Sequence, residues 1–248
     1  MKDQGKESRY HRFASTHWSM VRQASEDSDG DLTKRRDALQ QLCETYWFPL
    51  YSFLRNKGYD SNTSADLVQG FLADLLRRDD LRSANPELGK FRSFLLAALK
   101  NYVNNVHDHQ NAQKRGGNAK VISFDAEQAD SRYRNEPIQS STPESEFEKR
   151  WAMTLLERAQ SDLQIYFESR GKGEQYERLK PFLGGKSDQK TVAEVSEELK
   201  MSEVAGKVAI HRMRQKFGEF LRKQIAQTVA KEDDIDGEIQ QMFETLRG

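Results

Sequence analysis

With one cysteine, Cys43, in 248 residues, the chain has neither an internal disulfide framework nor a cysteine-rich zinc site available to it. Prolines number only five, and no apolar run approaches the ~20 residues of a membrane-spanning helix. The opening residues, Met1 to Arg12, lack the apolar centre of a secretory signal. Net charge is also absent, because 39 Lys plus Arg balance 39 Asp plus Glu. That balance argues against indiscriminate coating of nucleic acid, yet leaves room for a local reading surface. The period-two alternation of strands is missing, as is any internal repeat. Together these absences predict a helical, cytoplasmic protein with no membrane segment and no implied cofactor or metal.

What is present is helical periodicity. Leu39, Leu42, Cys43, Tyr46, Trp47, Leu50, Phe53 and Leu54 share one face of a first helix. Pro49 is expected to kink or split that helix, and Gly58 to stop it. A second helix is expected from about Ser64 to Arg78, with Leu67, Val68, Phe71, Leu72, Leu75 and Leu76 as its stripe. A third begins near Lys90 and aligns Phe91, Phe94, Leu95, Ala98, Leu99, Tyr102, Val103 and Val106. These predict an antiparallel helical domain over residues 33–111, preceded by an extension over 1–32. Residues 112–146 hold paired glycines, Pro137, Pro143 and many polar side chains, and read as a flexible linker. Periodicity resumes at Phe147 and continues through Trp151, Leu155, Leu156, Ala159, Leu163 and Tyr166 into a second domain over 147–229. An acidic tail, 230–248, carries a short stripe of Ile235, Ile239, Met242 and Phe243. The expected fold class is all-α: two small helical domains joined by a flexible linker.

The second domain ends in a helix from Thr191 to Leu199, a tight turn at Lys200-Met-Ser202 and a long helix from Glu203 to about Thr228. That shape is a helix-turn-helix. Ile210, Met213, Phe217 and Leu221 form its buried stripe, and the other face shows Lys207, His211 and Arg214, flanked by Val208, Arg212 and Gln215. From Lys207 to Lys223 six cations face one anion, Glu219. A cationic face near the start of the second helix is what insertion into a major groove requires. A solvated charged face is the commoner meaning of such a pattern. A second cluster, Lys100 to Arg115, interleaves Lys100, Asn101, Tyr102, Asn104, Asn105, Lys114 and Arg115. Amides can pair with exposed base edges and cations can hold phosphates, while Tyr102 belongs to the apolar stripe. His107 and His109 have no ligand set around them and read as solvated. Gly184-Gly-Lys-Ser187 lacks the first glycine and the preceding strand of a phosphate-binding loop. No nucleophile–base pair is present, so an enzyme is not expected.

Asp66-Leu-Val-Gln69 followed by Phe71-Leu-Ala-Asp-Leu-Leu76 resembles the polymerase-binding helix of bacterial sigma factors. Phe91-Arg-Ser-Phe-Leu-Leu-Ala-Ala-Leu-Lys-Asn101 resembles the promoter-melting helix that follows it. Ala193-Glu-Val-Ser-Glu-Glu-Leu199 with Ala209-Ile-His-Arg-Met-Arg214 is similar to the terminal helix-turn-helix of the extracytoplasmic-function (ECF) group. Phe13-Ala-Ser-Thr-His-Trp-Ser19 and Gln113-Lys-Arg-Gly-Gly117 look like a particular ECF subgroup. The resemblance implies a division of labour. Asp66, Val68, Gln69 and Leu72 would dock on core RNA polymerase. Asn101, Asn104 and Asn105, with Lys100, Lys114 and Arg115 beside them, would hold flipped bases and backbone of the minus-ten promoter element. Lys207, Val208, His211, Arg212 and Arg214 would meet the minus-thirty-five element. An anti-sigma factor is compatible with such a partner set. Two residues depart from the family pattern. Gly70 stands where an acidic residue is usual, and Gly206 replaces an apolar core residue, with Val204 expected to compensate.

Two other classes compete with this reading. A stand-alone helix-turn-helix regulator acting as a dimer needs neither the Asp66–Gln69 helix nor the Asn-rich one. An RNA-binding or scaffold protein leaves the ordered motifs unexplained. The acidic tail is open between a packing helix, a solvated end and a mask over the cationic reading helix, with the charge contrast favouring the mask. Cys43 reads as a small buried hydrophobe.

Overall fold

The computed structural model describes residues 32–75, 89–112, 126–136, 142–184, 190–229 and 231–247. All regular elements among them are helical: α1 (Leu32–Asn56), α2 (Ser61–Leu75), α3 (Phe91–Ala112), α4 (Ala126–Asn135), α5 (Pro143–Glu168), α6 (Gly173–Leu179), α7 (Val192–Glu198), α8 (Glu203–Ala226) and α9 (Ile235–Arg247). Single 3-10 turns, Lys180–Phe182 and Glu232–Asp234, follow α6 and precede α9. No described helix is long and apolar enough to cross a membrane. Residues 1–31 of the N-terminal extension, Leu76, Lys114, Arg115 and the 185–189 loop lie outside the described residues.

Local chemistry sets the helix ends. Pro49 does not split α1, which runs unbroken around it. Pro49 is buried, and packed side chains on either side hold the helix across the missing hydrogen bond. Beyond Asn56, Gly58 takes φ +97°, its N–H donating to the Arg55 carbonyl at 3.0 Å and that of Tyr59 to Leu54 at 3.2 Å. This double closure satisfies two end carbonyls and needs the left-handed conformation that glycine tolerates. α2 starts earlier than its apolar stripe suggests, because Asp60 accepts from the Thr63 N–H at 2.9 Å and from its hydroxyl at 2.6 Å. α5 starts with Thr142 accepting from the Ser145 N–H at 3.1 Å and Pro143 in the first turn.

Two apolar cores follow. The larger joins Leu42, Tyr46, Trp47 and Leu50 of α1 with Val68, Phe71 and Leu72 of α2 and Phe91, Leu95 and Leu99 of α3. It also takes in Phe147, Trp151, Leu155 and Ala159 of α5, Leu221 and Ile225 of α8, and Ile235 and Met242 of α9. The smaller holds Leu163 and Phe167 of α5, Tyr176 and Leu179 of α6, Phe182, Val195 of α7, and Ile210 and Met213 of α8. Both α5 and α8 pass through the two cores, so the described packing does not divide at residue 146. At 26 residues, α5 is about 39 Å long and serves as a shared spine.

The stretch read as a flexible linker also contains a helix, α4, docked by polar chemistry. Arg55 of α1 pairs with Asp130, and the Arg132 guanidinium lies 4.1 Å from the Phe48 ring centroid and 2.5 Å from Glu157. Tyr133 meets Tyr51 edge-on, with ring centroids 6.4 Å apart. The apolar face of α4 is short, Ala129 and Tyr133 one turn apart, too little to leave a clear periodic trace in the sequence.

The acidic tail forms α9 and joins the larger core. Met242 is fully buried, and Glu238 is buried against two cations, Arg92 and, at 2.6 Å, Lys90. Arg92 itself is buried, reaches Glu148 at 2.6 Å and lies over the Trp151 ring at 4.1 Å. A charged cluster thus ties α3, α5 and α9 together. Arg92 shares the helical face of Leu95, Leu96 and Leu99, and a charge at that spacing was the one sign of it in the sequence.

Candidate nucleic-acid interface

α7 opens with a reciprocal cap. The Thr191 hydroxyl accepts from the Glu194 N–H at 3.3 Å, and the Thr191 N–H donates to the Glu194 carboxylate at 2.6 Å. Donation by the Thr191 backbone N–H, then by its hydroxyl, holds the Glu194 carboxyl below the usual carboxylate range. At its other end Lys200 adopts φ +52°, with its N–H donating to Glu197 at 2.9 Å and that of Met201 to Ser196 at 2.9 Å. Ser202 then caps α8 by accepting from the Ala205 N–H at 3.2 Å. Few residues separate the two helices, and they touch closely. A Cβ on Gly206 would overlap the Ser196 hydroxyl and stand 3.2 Å from Ser196 Cβ. Gly206 is therefore the contact point between α7 and α8 rather than a weak core position. Val204, expected to compensate for it in the core, is instead 71% exposed.

Ile210, Met213, Leu221 and Ile225 give α8 its buried side. Lys207, His211 and Arg212 are exposed on the first turns, and Val208 is 43% exposed. Lys207 makes an exposed pair with Glu203 at 2.7 Å, an interaction worth ~0–1 kcal/mol and easily exchanged for a phosphate. Arg214 behaves differently. Its Nε and Nη2 both donate to the Phe182 carbonyl, at 2.9 and 2.6 Å, which closes the turn after α6 onto α8. Arg214 is exposed as the reading face expects, and it also satisfies a carbonyl that needs a donor. Lys216 likewise pairs with Glu219 at 2.5 Å and lies 4.9 Å from the Tyr166 ring centroid. The tail engages the far end of α8 through Arg222 and Asp236, leaving Lys207, Val208, His211 and Arg212 uncovered among the described residues. The mask expected of the tail is corrected accordingly: α9 is a packing helix.

On α3, Asn101, Asn104 and Asn105 are exposed and share one face by their three- and four-residue spacing. Lys100 donates instead to Glu144 at 2.7 Å and lies 5.5 Å from the Phe53 ring centroid. The Lys100 ammonium holds the Glu144 carboxyl below its usual range. His107, read as solvated, bonds the Tyr59 hydroxyl through Nε2 at 2.8 Å and stacks on that ring. Tyr102 packs on Phe71 and fits because residue 70 is glycine; a Cβ there would overlap its hydroxyl.

Of the four α2 residues expected to dock on polymerase, Asp66 is exposed and Gln69 half-buried. Val68 and Leu72 are core residues, 0% and 1% exposed, and are withdrawn as contact candidates. They lie on the same helical face as Leu67, Phe71 and Leu75, and helical periodicity had already marked them as core. Burial pushes the Cys43 thiol up to about 12, in keeping with an inert packing residue. No group of three His, Cys, Asp or Glu side chains among the described residues is arranged to hold a metal ion. No family model matches the chain, and neither a curated protein nor a solved structure matches it.

Proposed function

We propose that the protein is a sigma factor of the ECF type, a cytoplasmic subunit that recruits core RNA polymerase to promoter DNA. The observation that carries this reading is the first three turns of α8. There a capped helix pair in close contact leaves Lys207, Val208, His211 and Arg212 uncovered, as a helix entering a major groove requires. The exposed amides Asn101, Asn104 and Asn105 supply hydrogen-bonding groups suited to unpaired bases of a melted element. Asp66 and Gln69, the accessible half of the motif at α2, are the residues to carry the polymerase contact.

Gel filtration of the chain with core bacterial RNA polymerase, followed by transcription from duplex and pre-melted promoters, tests the proposal. Co-elution weakened by Asp66→Ala or Gln69→Ala, with transcripts that depend on promoter sequence, is the expected result. A chain that ignores polymerase yet binds duplex DNA as a dimer would replace it with a stand-alone helix-turn-helix regulator. One observation favours that second reading: α5 and α8 run through both cores, so the reading helix and the α2–α3 pair share one packed body.

A further inference from the structure

Four large apolar side chains are exposed among the described residues: Ile165, Val204, Val208 and Phe243. Two of them, Val204 and Val208, stand one turn apart on the first two turns of α8. β-Branched residues disfavour helices slightly, and exposed apolar ones gain nothing from the core, so local folding does not account for the pair. Their neighbours on the same face are Lys207, one turn from Val204, and His211 and Arg212, one turn from Val208. An apolar strip flanked by cations matches one surface in particular. The major groove of duplex DNA offers anionic walls and, at each thymine, a protruding C5-methyl group.

We propose that Val204 and Val208 each cover a thymine methyl, so that the element read by α8 contains two thymines at defined places. The inference rests on the DNA-reading role of α8 and names what that face selects. Four residues of helix advance about 6 Å and successive base pairs about 3.4 Å, so the two thymines lie one or two steps apart. The exposed Lys207–Glu203 pair sits beside them and opens to a phosphate. Specificity here is steric and apolar: cytosine lacks the methyl and presents an amino donor that neither valine can satisfy.

Deoxyuridine is the direct probe, because it differs from thymidine by that methyl alone. Duplexes enriched from a randomised pool, by the full chain alone and with core RNA polymerase, are resynthesised with deoxyuridine at one thymine at a time. Expected is an approximately fourfold loss of affinity at each of two positions, from the burial of one methyl. Val204→Ala should abolish the penalty at one position and Val208→Ala at the other. Lys207→Ala should instead weaken every duplex alike, lower the salt slope by about one, and keep both penalties. Enriched duplexes that tolerate deoxyuridine everywhere, or penalties unchanged in both valine variants, overturn the inference while leaving DNA reading intact. If no duplex is enriched in either format, DNA reading by α8 falls and the inference with it. Loss of polymerase co-elution or of a dimer in the valine variants assigns the face to a protein partner and also overturns it.

Discussion

Lys200 occupies a conformation that an L-residue adopts at a penalty. It is the one non-glycine residue with positive φ among those described, and the turn between α7 and α8 requires that geometry. Lys200→Gly removes the Cβ clash but adds freedom to the unfolded chain, so the expected gain is modest, about 0.5–1 kcal/mol by denaturant unfolding. Gly206 poses the opposite constraint. Gly206→Ala drives a methyl into the Ser196 hydroxyl, and overpacking of that kind costs about 1–3 kcal/mol. Ser196→Ala in the same chain should recover most of the loss, which a double-mutant cycle on thermal unfolding would read directly. Neither constraint is visible in composition. A lysine carries no sign of a positive φ, and a helical glycine reads as weakness until the partner helix is seen.

Among elements, α7 is short and depends on its cap. The Glu194 carboxyl is held below its usual range, so its folded form favours the ionised state. Its contribution is therefore fully present above the ordinary glutamate value near 4.5 and is lost as pH falls through the depressed folded value. Amide exchange in α7 should accelerate in that acid window, and Glu194→Gln should remove the pH dependence. The cluster joining α3, α5 and α9 predicts a larger effect. Arg92→Ala leaves Glu238 buried with only Lys90 beside it, at an expected cost of about 3–5 kcal/mol. Replacing Arg92 and Glu238 together by methionine should be far less damaging than the sum of the two single changes, measured by chemical unfolding. The helices of both cores were legible as periodic stripes, from Leu42 to Leu54 and from Phe147 to Leu163, because burial demands that spacing. α4 was not, because Asp130, Arg132 and Tyr133 dock it through ion pairs and rings whose partners are distant in sequence. The candidate site divided the same way. Exposed Lys207, His211, Arg212 and Arg214 followed from the helical wheel, whereas the bond of Arg214 to a carbonyl on another segment did not.

Across the whole molecule, α9 decides how the chain holds together. Ile235, Glu238 and Met242 are buried in the larger core, far in sequence from Leu42 and Phe91. Truncation after Ala230 should therefore lower stability by about 3–6 kcal/mol, from two buried apolar side chains and the lost partner of Arg92. Set against the 5–15 kcal/mol of a typical domain, that leaves a marginal fold, detectable as an early, broad melting transition. If the truncated chain instead kept its melting point, the packed position of α9 would be wrong. The same feature bears on synthesis. A ribosome releases the chain from its N-terminal end, so Arg92 and the apolar faces of α1 and α3 emerge long before Glu238 and Met242. For that interval the nascent chain carries an unfinished core, and Arg92 has Glu148 but not Glu238, a state prone to association. Completion of the larger core waits on α9, so the emergence of residues 235–247 is the step that closes it.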